Sequence, residues 1–97
     1  DHSTVAGGNL NCAEGNCTFI GGGHNNCSTN CGGVVAGALN KASSAGFVGA
    51  GQNNDVFGTY GAIGAGVNNT IANDSTQAFI GGGCDNLVTY CNSWGHF

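Results

Sequence analysis

The chain has 97 residues, of which 20 are glycine and six cysteine, with no proline, no methionine and a net charge of −4. One lysine and no arginine leave it without the clustered cations that displace counterions from nucleic acid or hold an anionic membrane surface. A domain this small buries a modest core and often needs staples, which the cysteines can supply. Abundant glycine with little charge can signal disorder, but 40% of the residues are apolar and the glycines are regularly placed, so an ordered fold is expected. The sequence starts at Asp1 and holds no long apolar run, which reads as a mature, secreted chain whose targeting segment has been removed.

Along the chain one phrase recurs: an apolar pair, two or three small residues, a variable residue, then Asn. It first occurs as Thr4-Val5-Ala6-Gly7-Gly8, then as Phe19-Ile20-Gly21-Gly22-Gly23-His24-Asn25-Asn26. It follows as Val34-Val35-Ala36-Gly37-Ala38-Leu39-Asn40 and as Phe47-Val48-Gly49-Ala50-Gly51-Gln52-Asn53-Asn54. The last copies are Ala62-Ile63-Gly64-Ala65-Gly66-Val67-Asn68-Asn69 and Phe79-Ile80-Gly81-Gly82-Gly83-Cys84-Asp85-Asn86. Taking Val5, Ile20, Val35, Val48, Ile63 and Ile80 as anchors gives spacings of 15, 15, 13, 15 and 17 residues.

A period this short suits one coil of two short strands and two turns. Asn-Asn tolerates left-handed backbone angles and so marks the first turn. The second falls near Gly15, Asn30-Cys31-Gly32, Ala45-Gly46, Gly58 and Asn73-Asp74. Helix is disfavoured, since each glycine costs ~1 kcal/mol there. The expected fold is all-β: a single-domain, disulfide-stapled β-solenoid, or parallel β-roll, over residues 1–97. Its six coils lie near 3–17, 18–32, 33–45, 46–60, 61–76 and 77–92, followed by an aromatic tail at 93–97. Stacking at ~4.8 Å per coil puts the anchors in one aliphatic column and the Asn residues in amide ladders.

Strand side chains alternate faces. The residues before the anchors, Thr4, Phe19, Val34, Phe47, Ala62 and Phe79, are therefore expected outside as an apolar row. Exposed continuous apolar surface marks an interface. Phe19, Val34, Phe47 and Phe79, with Trp94 and Phe97 of the tail, are the candidate self-association residues. Neither end shows a charged or helical cap, and uncovered solenoid ends invite further strands.

The phrases Phe-Ile-Gly-Gly-Gly-His-Asn-Asn, Phe-Val-Gly-Ala-Gly-Gln-Asn-Asn and Ala-Ile-Gly-Ala-Gly-Val-Asn-Asn resemble the head repeats of YadA-like trimeric autotransporter adhesins, over roughly residues 3–90. The resemblance implies a left-handed parallel β-roll, often trimeric, lying outside the cell and adhering to matrix or cells, with no catalytic residue to carry over.

Cys12, Cys17, Cys27, Cys31, Cys84 and Cys91 form an even set, which in a short secreted chain reads as a disulfide framework. Cys12 and Cys27 share one repeat position and Cys17 and Cys31 nearly share another, so bridges 12–27 and 17–31 fit the stack. Bridges 12–17 and 27–31 within coils remain the rival, and either scheme leaves Cys84 with Cys91. The spacings lack the paired C-x2-C of zinc sites, and no calcium repeat is complete, so no metal or other cofactor is expected. Sequons at Asn16, Asn26, Asn68 and Asn73 fall at expected turns, where N-glycans can stand in solvent. The acidic residues Asp1, Glu14, Asp55, Asp74 and Asp85 show no paired phase for acid–base work, and His24 has no free thiol to activate, so no enzyme is expected.

The function expected is that of an extracellular structural protein, a glycosylated homo-oligomer or filament subunit of a fibre or surface coat. The alternative is an adhesin head binding cell-surface or matrix ligands. Ice binding is weaker, because Thr4, Thr18, Thr29, Thr59, Thr70, Thr76 and Thr89 do not form a ladder. Nucleic acid and membrane insertion are not expected.

Overall fold

The computed structural model describes residues 3–72, 75 and 77–89. Among them the chain is all-β and winds as a β-solenoid. Two six-stranded parallel sheets are built from strands that alternate along the sequence. The first sheet contains β1 (Thr4–Val5), β3 (Phe19–Ile20), β5 (Gly33–Val34), β7 (Phe47–Val48), β9 (Ala62–Ile63) and β11 (Phe79–Ile80). The second contains β2 (Cys12–Glu14), β4 (Cys27–Thr29), β6 (Lys41–Ala42), β8 (Asp55–Val56), β10 (Thr70–Ile71) and β12 (Leu87–Val88). A further row of single bridges joins Asn9, His24, Ala38, Gln52, Val67 and Cys84 between the two sheets.

The inner column of the first sheet is Val5, Ile20, Val34, Val48, Ile63 and Ile80. The third coil therefore departs from the sequence reading. Val34 takes the anchor position and is fully buried, whereas Val35 is 44% exposed. Gly33, not Val34, stands outside between Phe19 and Phe47. The physical reason is a fixed distance inside each coil: every true anchor precedes a ladder asparagine by six residues, and six before Asn40 is Val34.

A second inner column comes from the other sheet: Ala13, Ser28, Ala42, Val56, Ile71 and Val88. The two columns face each other as the core. Aliphatic side chains of the later coils fill it fully, while the first coil is thin, with Val5 44% exposed and Ala13 only partly covered. Ile80, in the last described coil, is fully buried. Thr18 and Ser28 each bury a hydroxyl that has no hydrogen-bond partner, and both belong to the early coils.

Corners need backbone angles that most side chains avoid. Leu10, Asn25, Leu39, Asn53, Asn68 and Asp85 turn the first corner in the left-handed region, with φ of 60°, 59°, 58°, 63°, 60° and 61°. Asparagine tolerates this conformation; for Leu10 and Leu39 it costs ~1–2 kcal/mol. Just before this corner, glycine is required for space as well as angle. At Gly51, with φ of 108°, a Cβ would land on the carbonyl oxygen of Gly66 in the next coil.

The residue after the corner is the ladder asparagine, and its side chain turns inward. Asn54 Nδ2 donates to the Ala50 carbonyl at 3.2 Å, to the Gly66 carbonyl of the next coil at 2.9 Å and to Asn40 Oδ1 of the previous coil at 3.1 Å. Its Oδ1 accepts the backbone N–H of Asn69 at 3.1 Å. Asn26, Asn40, Asn69 and Asn86 continue the ladder, each backbone N–H donating to the side-chain oxygen one coil back. Asn40, Asn54 and Asn69 are fully buried.

Removing one such side chain leaves a buried donor unsatisfied. Asn54→Ala is expected to destabilise the fold by about 3 kcal/mol, because the Asn69 N–H loses its acceptor together with the bonds from Nδ2. Its exposed neighbour supplies the control: Asn53→Gly fits the left-handed corner and is expected to change stability by less than about 0.5 kcal/mol. Urea unfolding followed by circular dichroism measures both.

Candidate functional site

The two sheets present unlike outer faces. On the first, the outward residues are Thr4, Phe19, Gly33, Phe47, Ala62 and Phe79, with Ala6, Gly21, Val35, Gly49, Gly64 and Gly81 two residues on. None carries a charge, and Thr4 alone has a polar side chain. Phe19, Phe47 and Phe79 are 43%, 43% and 42% exposed, on every second coil. Gly33 and Ala62 separate them, so the rings stand as a comb with a pitch of about 9.6 Å, twice the ~4.8 Å strand spacing. Each of the first two rings leans over the glycine two residues later: a Cβ at Gly21 or Gly49 would lie 3.5 Å from the Phe19 or Phe47 ring. Of the sequence-predicted association residues, Phe19, Phe47 and Phe79 are thus together on one face. Val34 is corrected to the core, and Trp94 and Phe97 lie outside the described residues. Val35 is the exposed member that the sequence reading missed, and the six-residue offset to Asn40 would have found it.

The outer face of the second sheet is mixed: it carries charges, but also Leu87, 62% exposed, and Phe57, 37% exposed two residues after Asp55. One column reads Cys12, Cys27, Lys41, Asp55, Thr70 and Leu87. Glu14, Lys41 and Asp55 all belong to this sheet, and Asp85 to the corner before it. No described charged residue lies in a strand of the first sheet.

Cys12 and Cys27 face each other in register on neighbouring strands as free thiols, near each other but not bonded, so the expected disulfide staple is not formed in this structure. Cys17 and Cys31 occupy equivalent second-corner positions, with φ of 61° and 65°, and are likewise free, exposed thiols. The Cys12 thiol is pushed up by burial first, then by Cys27 and Glu14; that of Cys31 by burial and its hydrogen bond with Cys17. Cys84 is exposed in the bridge row, where Val67 is its neighbour, and its thiol is pushed up mainly by the charge of Asp85. Cys91 lies outside the described residues. No group of three or more His, Cys, Asp or Glu among the described residues could hold a metal ion.

No protein-family model matches the chain, and no curated protein is significantly similar to it. The fold and its surfaces therefore carry the functional argument.

The sequons separate by side-chain direction. Asn16 and Asn68 are exposed at corners. Asn26 is corrected: it is a ladder residue, 1% exposed, whose Nδ2 donates to Gly22 and Gly37 carbonyls at 3.0 and 2.9 Å, leaving no room for a glycan. In an Asn-Asn pair the first residue turns the corner and the second points inward, so Asn26 as the second of its pair is the interior one. Asn73 lies outside the described residues.

Asp55, flanked in register by Lys41 and Thr70, has its carboxyl pushed above the usual range by burial, which the Lys41 charge only partly offsets. A proton is then held more tightly in the folded chain than in the unfolded one. The resulting stabilisation is complete below the unfolded carboxylate pKa and is lost as pH rises through the raised folded value. Asp55→Asn is accordingly expected to match the wild type in stability at about pH 3, where both side chains are neutral, and to exceed it at neutral pH. Denaturation midpoints of the two proteins at both pH values check the sign.

Proposed function

We propose that this chain is an extracellular structural protein, a self-associating β-solenoid subunit of a fibre or surface coat. The observation that carries the reading is the uncharged outer face of the first sheet, with its comb of half-exposed phenylalanines. Leaving three such rings and Val35 in water on one flat face is unfavourable at roughly 25 cal/mol per Å² of apolar surface, and covering that face recovers the energy. The charges placed on the other sheet keep the opposite side soluble.

Size selects the kind of assembly. Six coils at ~4.8 Å and a width of two side chains make a patch of roughly 300 Å², well under the ~800 Å² per partner of a typical stable pair. One such contact is weak, and many in an array are strong through multivalency. That favours a fibre or coat over an isolated dimer. N-glycans on Asn16 and Asn68 would stand at corners, clear of this face. The cysteine content fits a secreted, oxidising setting.

Phe47→Asp places a charge at the middle of the comb without touching the core. It is expected to abolish assembly while changing stability by no more than about 1 kcal/mol. Sedimentation velocity and electron microscopy of wild type and variant read this out. Filaments or sheets of wild type that vanish in the variant support the proposal. A wild type that stays as discrete monomers or trimers overturns the fibre reading and favours the adhesin head.

A further inference from the structure

We propose that Cys12–Cys27 and Cys17–Cys31 are disulfide pairs, which clamp the first two coils together across the stack. In-register neighbours on parallel strands lie ~4.8 Å apart, inside the Cα separation of 4.4–6.8 Å that a disulfide spans. Cys12 meets Cys27 in this way through β2 and β4. Cys17 and Cys31 are placed by one repeating corner bond: Cys31 N–H donates to the Asn16 carbonyl as Ala45 N–H does to Asn30. The pairing within coils fits less well. From Cys12 the chain runs out along an extended strand for about 7 Å before it reaches the corner that holds Cys17.

Their position gives the clamp a purpose. The first two coils are where the hydrophobic interior is weakest. There Val5 is half exposed, Ala13 is partly covered, and Thr18 and Ser28 bury unpartnered hydroxyls. From the third coil onward the column that held Cys12 and Cys27 carries Lys41 and Asp55, and the second-corner column carries Ala45, Tyr60 and Gln77. Covalent links thus stand where packing is poorest and give way to ordinary contacts where aliphatic side chains fill the core. Each bond forms as two thiols lose two protons and two electrons to a disulfide-bearing oxidant such as oxidised glutathione, which is reduced to two thiols. The pairing rests on register; only the natural oxidant depends on the extracellular reading, and a redox buffer supplies one in its place.

The test is a disulfide map of the whole chain refolded in a glutathione redox buffer, by non-reducing pepsin digestion and electron-transfer mass spectrometry. Links 12–27 and 17–31 are expected. Links 12–17 and 27–31, or free thiols at all four positions, would overturn the pairing. Hydrogen exchange before and after reduction with dithiothreitol tests the clamp itself. The amides of Ala6, Asn9 and Cys12, which bond the second coil, are expected to lose about 100-fold in protection, the factor for releasing a loop of this length. Those of Gly49, Gln52 and Asp55 are expected to keep theirs. Unchanged protection in the first coil, or an equal loss in every coil, would overturn the clamp.

Discussion

The structure depends on a buried column of carboxamides. From Asn26 to Asn69, each ladder asparagine holds its own corner closed, grips the glycine carbonyl of the next coil and offers its oxygen to the next asparagine. These are groups that cannot be left unpaired in a dry interior. A coil slipped by one residue would break every one of those bonds and expose its anchor. The side-chain ladder therefore fixes register more strictly than strands of two or three residues could by themselves.

That constraint explains which half of each coil is rigid. From anchor to ladder asparagine the distance is always six residues, and from asparagine to the second inner column it is always two. The remaining stretch, through the second corner to the next anchor, varies between coils and absorbs all differences in coil length. Corner residues there are correspondingly diverse, from Cys17 and Cys31 to Ala45, Tyr60 and Gln77, each at positive φ. Glycine at positions such as Gly51 is the counterpart of the ladder, because the asparagine of each coil can reach the next carbonyl only where no Cβ intervenes.

Much of this was legible in the residues. The repeat, the solenoid, the first inner column apart from its third member and the asparagine ladders follow from periodicity and residue type. The error at Val34 and Val35 arose from aligning coils on their apolar pairs; in the third coil both neighbours are valine, so hydrophobicity cannot choose between them, whereas distance to Asn40 can. The second inner column was missed because its members range from Ala13 and Ser28 to Ile71 and share no chemical signature beyond their offset. Asn26 read as an exposed acceptor because a pair of asparagines looks uniform in sequence, although one turns the corner and the other enters the interior. The outward comb was legible as Phe19, Phe47 and Phe79, but the division of the rod into an uncharged and a charged sheet needed the register of both.

In the proposed assembly the uncharged sheet is the side that is covered, and the proposed disulfides hold the thin first coils where packing is poorest. Both presuppose that the carboxamide column sets the phase of every coil. Side-chain amide hydrogen exchange by NMR tests that directly. The Nδ2 protons of Asn40, Asn54 and Asn69 are predicted to persist in D2O while those of Asn25, Asn53 and Asn68 exchange at once. Equal, rapid exchange of all six carboxamides would contradict the account.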